Sequence, residues 1–157
     1  MSASASLRLS HTHVMRLPSP PETVFPLLCP IREAEWLDGW EARMVHSVSG
    51  LAEPGCVFTT PGLAGGEWVW VISRHDPAEA VQFVVLAPGS HVTVLDIRLE
   101  AEAGGTRASW TYALTALDPG QGAFHRGYMA ATPQRLVDLE AKLAHFLHSG
   151  ECLKGAS

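Results

Sequence analysis

Residues 91–117 read HVTVLDIRLEAEAGGTRASWTYALTAL. In the first half Asp96 and Arg98 alternate with Leu95 and Ile97. In the second half Arg107, Ser109 and Thr111 alternate with Ala108, Trp110, Tyr112 and Leu114. A period of two marks strands with one buried face. Gly104-Gly105 between them marks a turn, so residues 91–102 and 106–117 form an antiparallel hairpin. Beyond Asp118-Pro-Gly120 the period becomes helical. Phe124, Tyr128 and Ala131 share one face, and Leu136, Leu139, Leu143, Phe146 and Leu147 form an apolar stripe. Gly150 stops the helix. Thr132-Pro133 reads either as a helix start or as a kink in one longer helix.

Upstream of the hairpin, further β-rich runs cover residues 80–87, 67–75, 56–60 and 40–49. Pro88-Gly89, Asp76-Pro77, residues 61–66 and Pro54-Gly55 punctuate them. Earlier still, residues 7–17 form a first strand that ends at Pro18-Ser-Pro-Pro21. Two short helices follow, one before Pro30 and one over residues 31–37, closed by Asp38-Gly39. The fold class is therefore α+β: a curved six- to seven-stranded antiparallel sheet around a long C-terminal helix, with two short helices after the first strand. A single helix cannot cover so wide a sheet, and the uncovered space is a frequent ligand site.

The chain has 157 residues, 46% of them hydrophobic and 17% charged, which suits one folded domain with a core over about residues 7–148 and short flexible tails. Net charge is −5 and the eleven Lys and Arg are scattered. Nucleic acid and anionic membrane surfaces need clustered positive charge, so neither is an expected partner. No run reaches the roughly 18–20 apolar residues of a membrane span, so no membrane insertion is expected. The first ten residues lack the apolar core of a secretory signal, which points to the cytoplasm. Cys29, Cys56 and Cys152 are odd in number and widely spaced, and read as reduced thiols.

Several segments together resemble the START-like superfamily, also called Bet v 1-like or SRPBCC, with its helix-grip fold. They are Leu17-Pro-Ser-Pro-Pro-Glu-Thr-Val-Phe25, Glu35-Trp36 with Trp40, Pro54-Gly55-Cys56-Val57-Phe58, and Thr106-Arg107-Ala108-Ser109-Trp110-Thr111-Tyr112. The likeness spans roughly residues 7–147. It implies a deep apolar cavity but no particular activity, since the superfamily holds lipid carriers, polyketide cyclases, hormone receptors and co-chaperone domains.

Alternation then names the cavity wall. Glu41 and Arg43 face outward, leaving Met44 and His46 inside; Phe58 follows on the next strand. Trp68 and Trp70 are taken as the inner face of the fourth strand. Phe83 and Val85 line the fifth, Leu95 and Ile97 the sixth, and Trp110 and Tyr112 the seventh. Trp36 closes one end with Trp40, or clamps the short helices to the sheet. Tyr128, Leu136, Leu139 and Leu143 complete the wall from the helix. An inward His46 would be a neutral general acid or base, with Tyr112 to orient it, against the plainer reading of a satisfied core histidine. His11-x-His13 and the His145/His148 pair lack further converging ligands, so neither a metal nor a cofactor is expected. Arg74-His75-Asp76 alternates faces and reads as a solvated edge. Residues 62–66 are glycine-rich but open no helix, and read as a loop able to gate the cavity. No nucleophile elbow is present. The expected partner is a hydrophobic small molecule (a lipid, polyketide or aromatic metabolite), bound by a monomer or homodimer. The alternatives are a cyclase- or dehydratase-type enzyme and a co-chaperone-like interaction module.

Overall fold

A computed structural model of the chain describes residues 6–63 and 65–154. The outer parts of the expected tails, residues 1–5 and 155–157, and Ala64 of the glycine-rich loop lie outside them. Seven antiparallel strands form one sheet: β1 (Arg8–Leu17), β2 (Arg43–His46), β3 (Val57–Pro61), β4 (Glu67–Asp76), β5 (Ala80–Ala87), β6 (His91–Glu102) and β7 (Gly105–Ala116). Their order is β1-β7-β6-β5-β4-β3-β2. Strands β2 to β7 run as a meander through short turns. Strand β1 returns to the far edge and pairs with β7 along its whole length, from Arg8 opposite Thr115 to Leu17 opposite Thr106.

The helical parts among the described residues are α1 (Pro21–Val24), three 3-10 segments at Phe25–Leu28, Arg32–Glu35 and Pro119–Gln121, and the 28-residue α2 (Gly122–Ser149). Pro133 lies inside α2, so the proline sits within one long helix rather than opening a second. Thr132 Oγ1 donates to the Tyr128 carbonyl at 2.9 Å, satisfying an acceptor in the turn before the proline. Gly150 caps the helix at φ 73°, its N–H donating to the Phe146 carbonyl at 2.7 Å. The buried stripe of α2 is His125, Met129, Thr132, Leu136 and Leu143. Ala131, expected on the buried face, is exposed. The stripe centres on His125, Met129 and Thr132, which leaves Phe124 and Tyr128 on its flank and turns Ala131 to solvent.

Strand β2 is much shorter than the expected residues 40–49, and both ends have a reason. Trp40 Nε1 donates to the Pro30 carbonyl at 2.9 Å, which holds residue 40 back on the helical segment. Past His46, the Val48 and Ser49 N–H groups donate to the Glu53 carboxylate at 3.0 and 2.7 Å. Those donors are lost to any sheet ladder. Between Met44 and His46 the register shifts at a bulge, and a bulge reverses the alternation of faces.

The turn between β6 and β7 is Ala103-Gly104, with φ of 38° and 83°, between the paired Glu102 and Gly105. Two positive φ values match the twist of a tight hairpin. Gly105 itself is needed for space: a methyl there would overlap the Leu17 carbonyl oxygen on β1. Gly105→Ala is expected to pry β1 from β7 and lower stability by about 1–3 kcal/mol, read as a fall in the thermal midpoint. An unchanged midpoint would mean that the two strands separate here at no cost.

Candidate functional site

Seven strands spaced about 4.8 Å apart span roughly 29 Å, whereas a helix with its side chains is roughly 10–12 Å wide. Helix α2 lies over the β1 edge, where Glu140 accepts from His13 Nε2 at 2.7 Å and from the Arg16 N–H at 3.2 Å. The concave face farther along is covered by the segment Arg32–Glu35 and the residues after it. Trp36 anchors this cover: it is fully buried and its Nε1 donates to the Leu27 carbonyl at 2.8 Å. Between cover, helix and sheet lies a cavity of about 420 Å³.

Its floor is aromatic. Phe58 and Trp70 stack at 5.3 Å between centroids, Phe83 meets both edge-on, and Trp40 meets Trp70 edge-on at 6.0 Å. Leu95, Ile97, Trp110 and Tyr112 continue the wall along β6 and β7, and Leu136 and Leu139 close it from α2. Charged groups from α2, namely Arg135, Asp138 and Lys142, border it. Arg135 is already engaged: its Nη1 donates to the Tyr128 carbonyl at 3.1 Å and its Nη2 to Thr132 Oγ1 at 2.6 Å. Its guanidinium carbon lies 4.2 Å from the Tyr128 ring centroid. Asp138 accepts from Gln134 Nε2 at 3.0 Å.

Two polar groups inside the wall are unusual. Glu33 projects from the 3-10 segment into the cavity, and burial alone holds its carboxyl well above the usual carboxylate range. The Tyr112 phenol is likewise pushed up, first by burial, then by Tyr128, with Arg135 opposing and Glu33 adding to the rise. Neither side chain has a hydrogen-bond partner among the described residues. The Trp110 Nε1–H, also in this wall, is buried with no acceptor.

Of the residues expected to line a cavity, Trp36, Phe58, Trp70, Phe83, Leu95, Ile97, Trp110, Tyr112, Leu136 and Leu139 are brought together around it. Others are placed differently. His46 is exposed, opposite Val57, because the bulge after Met44 turns it away from the interior; it cannot act on a molecule in the cavity. Met44, opposite Phe58, is part-buried against the core beside the cavity, its Sδ 3.4 Å from Cys56 Sγ. Val85 and Leu143 are buried core beside the cavity. Trp68 and Tyr128 face inward but pair with each other at 5.8 Å, farther along the groove. Glu33 escaped the sequence reading altogether. A Glu in an Arg-Glu-Ala-Glu run looks like solvated helix surface, and only the anchored Trp36 turns it inward.

At that far end a polar cluster forms. Ser90 Oγ lies 2.6 Å from Gln121 Oε1, 3.0 Å from His91 Nδ1 and 3.1 Å from His125 Nε2. Gln121 donates through Nε2 to Asp118 Oδ2, so its Oε1 accepts and Ser90 donates to it. Both imidazoles must then donate to Ser90. The serine proton is spent, so Ser90 is no activated nucleophile. Burial, and then His125, hold the His91 imidazole below its ordinary range. Period two along β6 already placed His91 with Leu95; that signal was available. Gly65 and Gly66 border a hollow at this end, and Leu63 of the same loop lines another with Trp40, Trp70 and Arg135, which also border the cavity.

Among the described residues no group of three or more His, Cys, Asp or Glu is placed to hold a metal ion. His13 is committed to Glu140. His75, expected at a solvated edge, instead meets the Phe25 ring edge-on at 5.1 Å. No helix among the described residues is long and apolar enough to cross a membrane.

No family model matches the sequence, and no curated protein matches it. Solved structures do. Norcoclaurine synthase from Thalictrum flavum superposes with a TM-score of 0.69 at 8% identity, over 92% of this chain and 89% of that one. A protein from Rhizobium leguminosarum gives 0.67 at 17% identity, over 90% and 97%. Ara h 8.0201 gives 0.63 at 15%, over 90% and 99%. The chain shares the fold of these structures, a seven-stranded antiparallel sheet with a long C-terminal helix, which is the helix-grip arrangement that the resemblance implied.

Proposed function

We propose that this chain binds a hydrophobic small molecule, such as a lipid, polyketide or aromatic metabolite, in the cavity between α2 and the sheet. The observation that carries this is the unfilled space of about 420 Å³ inside an aromatic wall. Interiors ordinarily pack without voids larger than a water molecule. A cavity of this size lies within the range of small-molecule sites. An empty apolar wall of this extent forfeits packing contacts that a ligand would restore. A reaction through His46 has no support, since that residue is exposed. Uptake of an apolar molecule needs only the wall.

The test is saturable binding of N-phenyl-1-naphthylamine, whose fluorescence rises in apolar surroundings. Leu139 is half-buried in the wall, so Leu139→Trp fills space without opening the core. The substitution is expected to weaken the dye at least about tenfold, while the thermal midpoint stays within a few degrees. Dye binding that survives Leu139→Trp unchanged would place the dye elsewhere and remove the reading.

A further inference from the structure

We infer that the ligand carries a neutral carbonyl on an otherwise apolar, ring-bearing skeleton, and that the Glu33 carboxyl and Tyr112 hydroxyl donate hydrogen bonds to that oxygen. This rests on the cavity reading above and narrows it. An inventory of donors and acceptors on the wall leads there. Polar atoms enclosed by apolar surface need partners, and those left without one within the protein indicate what a ligand must supply. Tyr112 offers an O–H. Glu33 lines the same cavity with no ion-pair partner among the described residues, and burial favours its uncharged acid, which offers a second O–H. Trp110, two residues from Tyr112 on the same face of β7, adds an N–H with no acceptor.

The unpaired polar groups of the wall are thus donors set among aromatic and aliphatic side chains, while Asp138 on its border already accepts from Gln134. A hydrogen-bond acceptor is the complementary group. A carboxylate is the poorer fit at this depth. Arg135 is tied to Tyr128 and Thr132, and burying an anion beside the Glu33 carboxyl carries a desolvation cost that a neutral group avoids. A ketone or comparable neutral carbonyl takes two donors on its two lone pairs and leaves no charge to balance. The stacked Phe58–Trp70 pair and the edge-on rings of Trp40 and Phe83 give a planar ring system faces to lie against.

The experiment uses the full chain and two probes of equal skeleton. One is 6-propionyl-2-dimethylaminonaphthalene, a ring-bearing ketone; the other is its 6-propyl analogue, in which the carbonyl is a methylene. The wild type is expected to bind the ketone about five- to tenfold more tightly than the analogue, the discrimination of one or two net hydrogen bonds. Tyr112→Phe and Glu33→Ala should each remove most of that preference, read as the ratio of the two probe affinities within the variant. Glu33→Gln, which keeps a donor at the same reach, should retain it. Equal binding of both probes by wild type overturns the inference and leaves the cavity reading standing. Binding of neither overturns the cavity reading itself. A ketone preference that persists in both Tyr112→Phe and Glu33→Ala also overturns the inference, because other donors would then be responsible. Far-ultraviolet circular dichroism and the thermal midpoint are the folding control for each variant.

Discussion

Trp36→Ala is expected to lower the unfolding free energy by about 4 kcal/mol, moving the thermal midpoint by roughly 8–16 °C in a chain of this length. Two losses combine. Trp36 is fully buried, and truncating so large a ring leaves a void that the rigid sheet beneath cannot collapse to fill. The Leu27 carbonyl also loses its donor, and an unpaired buried acceptor costs about 1–3 kcal/mol. Trp36→Phe separates the two. It keeps most of the ring and removes only the N–H, so it should cost about 1–2 kcal/mol. Urea unfolding followed by circular dichroism measures both. A domain typically has only about 5–15 kcal/mol to lose, so the alanine variant should sit close to the edge of folding at 37 °C. A cost below about 1 kcal/mol would show that the cover over the cavity is held by something other than this indole.

The same residue marks the boundary of what the sequence could say. Strand periodicity located all seven strands, and faces on β5, β6 and β7 came out as the alternation of Gln82, Asp96, Arg98 and Arg107 required. Those strands are interior to the sheet, flanked on both sides, and a slip there would bury charge. On the edge strand β2 nothing enforces the pattern. One bulge between Met44 and His46 was enough to send a histidine expected on the inner face into solvent. The proline in α2 was undecidable locally, because Thr-Pro serves equally as a helix start and as an interior interruption; the continuation of the buried stripe from His125 through Thr132 to Leu136 decides it. Glu33 was illegible for a different reason. Its position depends on how a 3-10 segment lies against cavity residues on β3 to β7, more than twenty residues away in sequence. Hydropathy patterns carry no information about that docking, whereas the Trp36–Leu27 hydrogen bond that sets it is visible only in three dimensions.

Glu33→Gln is expected to leave stability unchanged near pH 4 and to raise it progressively above wild type as pH increases towards 8. In the unfolded chain Glu33 ionises in the ordinary carboxylate range. In the folded chain burial holds the same group protonated to higher pH. Between those two pKa values the folded state binds more protons than the unfolded state. By linkage, wild-type stability then falls as pH rises through the window, by up to about 1.4 kcal/mol per pH unit. Gln cannot ionise, so the variant escapes that loss. Groups bordering the same cavity set the context: Tyr112 from β7, pushed up by burial, stays neutral across the range, and Arg135, Asp138 and Lys142 stand on α2. Glu53 works with the opposite sign, since hydrogen bonds from Ser49, then Val48 and Ser47, hold its carboxyl down to about 2. It destabilises the fold on the acid side in both proteins and cancels in the difference. The measurement is the thermal midpoint of wild type and variant from pH 4 to 8. A midpoint difference that widens with pH to several degrees marks Glu33 as an acid kept uncharged within the aromatic wall. A difference flat in pH would mean that the carboxyl ionises freely, and would take away the donor that the carbonyl-bearing ligand requires.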